Sequence, residues 1–140
     1  MADAFYVEFR NAILGAATHS AIDLDGDNIK IGLRDEGTTA IDLATHVDLA
    51  DVSSAHVDTS ANLTSPTVGV VAAGVFDHAD ETFTGVSGAS VESLDYYKDS
   101  GTAGTSPLIC NIDSATGLPV TPNGGDIVWA PNASGVFQIT

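Results

Sequence analysis

The chain has 140 residues, a length that suits one domain with one hydrophobic core (1–140) and not two comfortable ones. Its 19 acidic residues against 4 basic ones give a formal net charge of −15, which argues against nucleic-acid binding, since phosphates would be repelled. No apolar run approaches the roughly 18 residues of a membrane span, and the start Met1-Ala2-Asp3 is acidic where a secretory leader is basic, so the expectation is a protein made and kept in the cytoplasm or on a particle assembled there.

From Asp3 to Leu14 the spacing predicts an amphipathic helix. Phe5, Phe9, Ala12 and Ile13 recur at helical intervals, Tyr6 widens the apolar face, and Glu8, Arg10 and Asn11 stay polar. Asp3 is the expected N-cap and Gly15 the stop. The plainer expectation is a helix packed on the chain's own β body; the other is a helix reserved for a neighbouring subunit.

The β body is expected over 22–140. Asn28 to Arg34 alternates, with Ile29, Ile31 and Leu33 on one face and Asn28, Lys30, Gly32 and Arg34 on the other, the pattern of a half-buried strand. Asp35 to Ala50 has no firm period and is expected to form a long loop or short irregular elements anchored by Ile41, Leu43, Val47 and Leu49. Ser54–Thr59 and Thr67–Val75 read as strands, the second because of Val68, Val70 and Val71. Phe76, Phe83 and Val86 are apolar anchors around a polar loop at Asp77–Glu81. The last third is the most regular. Tyr96–Lys98, Leu108–Ile112, Ile127–Trp129 and Val136–Ile139 are short apolar runs separated by Gly, Pro, Asn and Asp, which predicts antiparallel strands joined by tight turns. The predicted fold is mainly β, an antiparallel sandwich or barrel-like body with a short N-terminal α-helix.

Chemistry-bearing patterns are sparse. Asp23, Asp25 and Asp27 alternate as the first ligands of a calcium loop do, but Asn28 stands where that loop needs Gly and Arg34 where it needs a bidentate Glu. They are weak metal candidates, and a solvated loop entering the next strand is the plainer reading. His19, His46, His56 and His78 form no i, i+4 pair, and Asp77-His78-Ala79-Asp80 reads as a solvated loop. Gly85-Val86-Ser87-Gly88-Ala89 misses the fifth position of a serine elbow. Phosphate-cradling glycine loops are absent from the sequence. Cys110 lies in an apolar run and is expected to be a small buried hydrophobe with no disulfide partner. Two glycosylation sequons, at Asn62 and Asn132, carry no meaning without a leader. No spacing points to an enzyme or a cofactor.

In order along the chain, "DAFYVEFRNAILG", "IDLDGDNIKIGLRDE", "GVFDHADETFTGVSG", "YYKDSGT" and "SPLICNIDSATGLPVTPNGGDIVW" resemble a family of small structural proteins encoded among tailed-bacteriophage virion genes. The resemblance covers most of the chain and implies a non-enzymatic virion protein with no catalytic residues to carry over. The preferred station is the capsid surface, as a decoration or cement protein bridging subunits of the major capsid protein, homo-oligomeric and trimeric at three-fold positions. Phe5, Tyr6, Phe9, Tyr96, Tyr97 and Trp129 are the interface candidates. The alternative is a tail or head fibre component that binds host glycan through exposed aromatic rings, for which Tyr96, Tyr97 and Trp129 are the supply.

Overall fold

The structure is a computed structural model that describes residues 3–16 and 21–140, so the start Met1-Ala2 and His19 lie outside the described residues. In chain order the elements are β1 (Ala4–Phe5), helix α1 (Val7–Ile13), β2 (Ile29–Arg34), helix α2 (Leu49–Val52), β3 (His56–Thr59), β4 (Thr67–Val68), β5 (Val75–Asp77), β6 (Glu81–Phe83), β7 (Ser93–Lys98), β8 (Leu108–Ile112), β9 (Ile127–Trp129) and β10 (Phe137–Gln138). The protein is mainly β, with antiparallel pairing throughout and a short N-terminal helix.

Five strands form the central sheet in the order β1-β8-β7-β2-β3. On one face the alternation works as read: Ile29, Ile31 and Leu33 of β2, Leu94 and Tyr96 of β7, and Cys110 and Ile112 of β8 enter one core cluster. Phe9, Phe76, Phe83 and Val86 cover them from outside the sheet. Burying these apolar groups is the main favourable term for the fold, at roughly 25 cal/mol per Å² removed from water.

The other face of β2 departs from the expected half-buried strand. Gly32 and Arg34 do not meet solvent; Arg34 is fully buried. A second cluster of Tyr6, Val52, Tyr97 and Leu108 closes that side, with Leu43 and Leu49 packed against it. The segment that looked aperiodic, Asp35–Ala50, is therefore the lid of the second face. It leads into α2, whose start is fixed by a capping box between Asp48 and Asp51.

The N-terminus also differs from the reading. The predicted helix Asp3–Leu14 begins only at Val7, because Ala4 and Phe5 pair with Asn111 and Cys110 as an edge strand of the sheet. Asp3 caps no helix. Its carboxylate accepts the backbone N–H groups of Asp113 and Ser114, each at 3.0 Å, and the Ser114 hydroxyl at 2.5 Å, so it ties off the turn after β8. The stop is as expected: Gly15 has φ +75°, its N–H reaches the Ala12 carbonyl, and the Ala16 N–H reaches that of Asn11. The helix lies on the chain's own β body, with Phe9 only 3 % exposed. Phe5, Phe9 and Phe137 meet as an aromatic group, the Phe5 and Phe137 ring centroids 4.9 Å apart and perpendicular.

Thr67–Val75 is not one strand. It is a hairpin in which Val68 pairs with Phe76 and the chain reverses between Gly69 and Gly74, both at positive φ. Val70 and Val71, which looked like strand interior, stand exposed on that turn. β10 pairs with β5 on its other side, giving the order β10-β5-β4, and β6 pairs with β9. Cys110 is 1 % exposed, and burial pushes its thiol pKa well up, as befits a core residue.

Candidate functional site

The cluster with the richest chemistry lies inside the second face of the central sheet. Gly32, Asp95 and Asn111 stand side by side on β2, β7 and β8, and Arg34 and His56 pair across β2 and β3. Asp95 is fully buried, and its two oxygens accept four donors. Oδ1 takes the Tyr6 hydroxyl at 2.7 Å and the Asn111 amide at 2.9 Å. Oδ2 takes Arg34 Nη1 at 2.8 Å and His56 Nε2 at 3.1 Å. A carboxylate has about four lone-pair sites, so this one is saturated. Burial by itself would raise the pKa of Asp95, but the His56 hydrogen bond and the Arg34 charge outweigh it and hold the carboxyl below its ordinary range.

Arg34 spends its second amino group on the carbonyls of Thr39 and Ala40, at 2.8 and 3.1 Å. It thereby fastens the Asp35–Ala50 segment to the sheet. The His56 ring lies where residue 32 has no side chain: a Cβ added at Gly32 would run into it. Burial, then the adjacent Asp95 charge, pushes the Tyr6 hydroxyl well above its ordinary pKa, so it remains a donor. Composition alone could suggest catalysis, since Arg, Asp, His and Tyr are all present. The geometry is that of a strut, with Arg34 and Asp95 closed to solvent and Asp95 saturated.

A second network joins the central sheet, the β6–β9 pair and the loop after β5. Trp129 Nε1 donates to the Tyr96 hydroxyl at 2.6 Å, and that hydroxyl lies 2.8 Å from His78 Nε2. His78 Nδ1 is 2.6 Å from the Ala79 carbonyl, which can only accept, so Nδ1 carries the proton and Nε2 is free to accept from Tyr96. Burial lowers the His78 pKa, against the opposing pull of the Ala79 carbonyl, Glu81, Asp77 and Asp80. The loop read as solvated at Asp77–Glu81 thus turns His78 and Glu81 inward; Glu81 accepts the Thr64 N–H at 2.7 Å.

Of the six interface candidates, Tyr6, Phe9, Tyr96 and Tyr97 are between 0 and 3 % exposed and spend their surfaces within the chain. Phe5 is half-buried in its aromatic group. Phe5 also borders a shallow trough of about 420 Å³, and Trp129 stands between grooves of about 330 and 210 Å³, both also lined by Ala115, Thr116 and Val128. Asp3, Ser114 and Asn132 add polar groups to the larger one.

Asp23, Asp25 and Asp27 lie on the turn before β2. Asp27 is committed there: its carboxylate accepts the Asp23 N–H at 2.8 Å and pairs with Lys98 at 2.8 Å. Among the described residues no three His, Cys, Asp or Glu side chains converge as metal ligands. His46 and His56 are far apart in role, the first beside the Asp42 turn and the second in the ion cluster.

Sequence reasoning missed the Arg34–Asp95–His56 cluster. Two signals pointed to it: an acid in the middle of the strand run Ser93–Lys98, and Arg34 at the end of an otherwise apolar strand. Neither names its partner. The chain matches no protein-family model and no curated protein.

Proposed function

We propose that the chain is a non-enzymatic structural protein of a tailed-phage virion, a decoration or cement protein on the outer surface of the major capsid shell. The observation that carries this reading is where its reactive residues are spent. Arg34, Asp95, His56 and Tyr6, a group with catalytic composition, lock a sheet instead of facing a substrate. What remains outside is an acid-rich surface on a cross-braced β body, a form suited to being held in place. The resemblance of its motifs to phage virion proteins supports a place on such a particle, and the small size, β content and acidity favour the outside of the shell.

As a cement protein the chain binds the assembled shell, and its binding free energy adds to the barrier against rupture. Many modest contacts suffice when they repeat over the lattice. The test is to strip particles of this protein and add it back across a salt series, following occupancy and the temperature of genome release. Saturable rebinding in hundreds of copies with a raised release temperature is the expected result. Failure to bind shells overturns the reading.

Trp129 supports a second reading. Its indole N–H is tied to Tyr96, which fixes the ring at the edge of the larger groove beside Ser114, Thr116 and Asn132. A fixed aromatic face next to hydroxyl and amide groups is the chemistry that takes a sugar ring. Binding to host glycan by the free protein, lost in Trp129→Ala, would favour a fibre component over cement.

A further inference from the structure

Charge is unevenly spread along this chain. No Asp, Glu, Lys or Arg occurs between Asp58 and Asp77 or after Asp126, and Arg10 is the only one between Glu8 and Asp23. The fold brings the described parts of these three stretches together. Gln138 Nε2 donates to the Ala73 carbonyl at 2.8 Å and the Ile139 N–H to that of Gly74 at 3.0 Å, so the end of the chain runs along the β4–β5 turn. Gln138 and Ile139 also border a shallow trough of about 420 Å³ with Arg10, Ile13 and Leu14.

This face is apolar as well as free of carboxylate side chains. Among the described residues seven large apolar side chains are exposed, and all lie in these three stretches, Leu14 at 82 % and Val70 at 75 % being the most open; Val128 stands apart from the others, in the grooves beside Trp129. Scattered exposed apolar residues need no account; a run of them concentrated on one face of a highly charged chain does. Strand β4 forms the edge of its sheet there and pairs only with β5. Lys30, Arg34 and Lys98 are held by Asp99, Asp95 and Asp27. Arg10, at the rim of the trough and exposed, has no ion-pair partner among the described residues.

We infer that this face is where the chain meets a second copy of itself. Two bodies of charge −15 repel wherever their acids approach, so copies can come together only through a surface without them. This surface meets that need on both sides of a two-fold, self-complementary contact, where the same patch serves each copy, so the assembly inferred is a dimer and not the trimer that the resemblance implies. Arg10, at the rim, comes up against the acidic surroundings of the other copy and supplies the complementary charge. The inference rests on the homo-oligomeric part of the reading above and not on the shell.

The test is sedimentation of the full chain from micromolar to millimolar concentration, in low and high salt, with Val70→Asp and Leu14→Asp beside it and Ser87→Asp, on a distant loop, as control. The expected result is reversible association that tightens as salt screens the mutual repulsion. Each face variant should weaken it roughly tenfold or more and the control should not. Both sites are open to solvent, and an unchanged thermal melt at low concentration confirms each fold. Amide exchange on the unsubstituted chain reads the same face without any variant, with protection at 68–74 and 13–14 rising with concentration. A monomer at every concentration, association untouched by both variants, or protection gained elsewhere overturns the inference. Association through this face by a protein that fails to bind stripped shells leaves it standing and removes the capsid reading instead.

Discussion

Arg34 and Asp95 meet at 2.8 Å with neither side chain exposed to solvent, two strands joined by one ion pair at the centre of the sheet. A buried pair of this kind is weak proof of stability by itself, because both ions lose their water. Its consequence lies in what happens when one partner goes. Asp95→Asn leaves the guanidinium in the interior without its counter-charge, and the expected loss is about 3–5 kcal/mol in denaturant unfolding. Replacing both by apolar residues of similar size should cost less than either single change. A loss below about 0.5 kcal/mol for Asp95→Asn would show the pair to be dispensable. Since the folded state holds the Asp95 carboxyl below its ordinary value of 3.8, its share of stability is complete above that pH and is lost as pH falls through the lower folded value.

Gly32 and His56 are coupled by space. A methyl group at residue 32 meets the imidazole, so Gly32→Ala is expected to destabilise by about 1–3 kcal/mol even though alanine suits a strand no worse than glycine. The double variant with His56→Ala relieves the clash but leaves Asp95 one donor short. The two changes should therefore be non-additive, with a coupling energy of about 0.5–3 kcal/mol in a double-mutant cycle. Strict additivity would show that the ring does not fill that volume.

His78 gives a pH signature in a different window. Burial keeps its folded pKa below the ordinary 6.5, so the unfolded chain takes up the proton first and stability falls as pH drops through about 6.5. Thermal melts from neutral to mildly acid pH should show this loss, and His78→Gln should flatten it. Parallel profiles for the two proteins would mean that His78 does not titrate on unfolding in that range.

Phe9 packs at the junction of the helix, the C-terminal strand and the sheet. Phe9→Ala should cost about 3–5 kcal/mol in chemical unfolding, the usual penalty for emptying a buried aromatic site. A change below about 0.5 kcal/mol would mean the helix contributes nothing to the core.

The strands of the last third and β2 were legible because period-two alternation and Gly, Pro and Asn turns are local signals. Leu108–Ile112, Ile127–Trp129 and the core positions Ile29, Ile31 and Leu33 follow from them. The acid excess is likewise a property of the chain read end to end. Other features depend on partners distant in sequence. Ala4 and Phe5 have helical spacing, yet β8, more than a hundred residues later, offers them ladder hydrogen bonds and takes them from the helix. Arg34 reads as a solvent-facing strand residue until Tyr6, His56 and Asp95, from three other parts of the chain, close over it. Val70 and Val71 read as strand interior until the glycines on either side turn the chain back and leave them outside. By itself the sequence determined the β class, the core stripe of the central strand and the charge balance, because each is set by neighbours a few residues away. Only the tertiary structure decided which polar residues are buried and which apolar ones are exposed, since long-range pairing settles both.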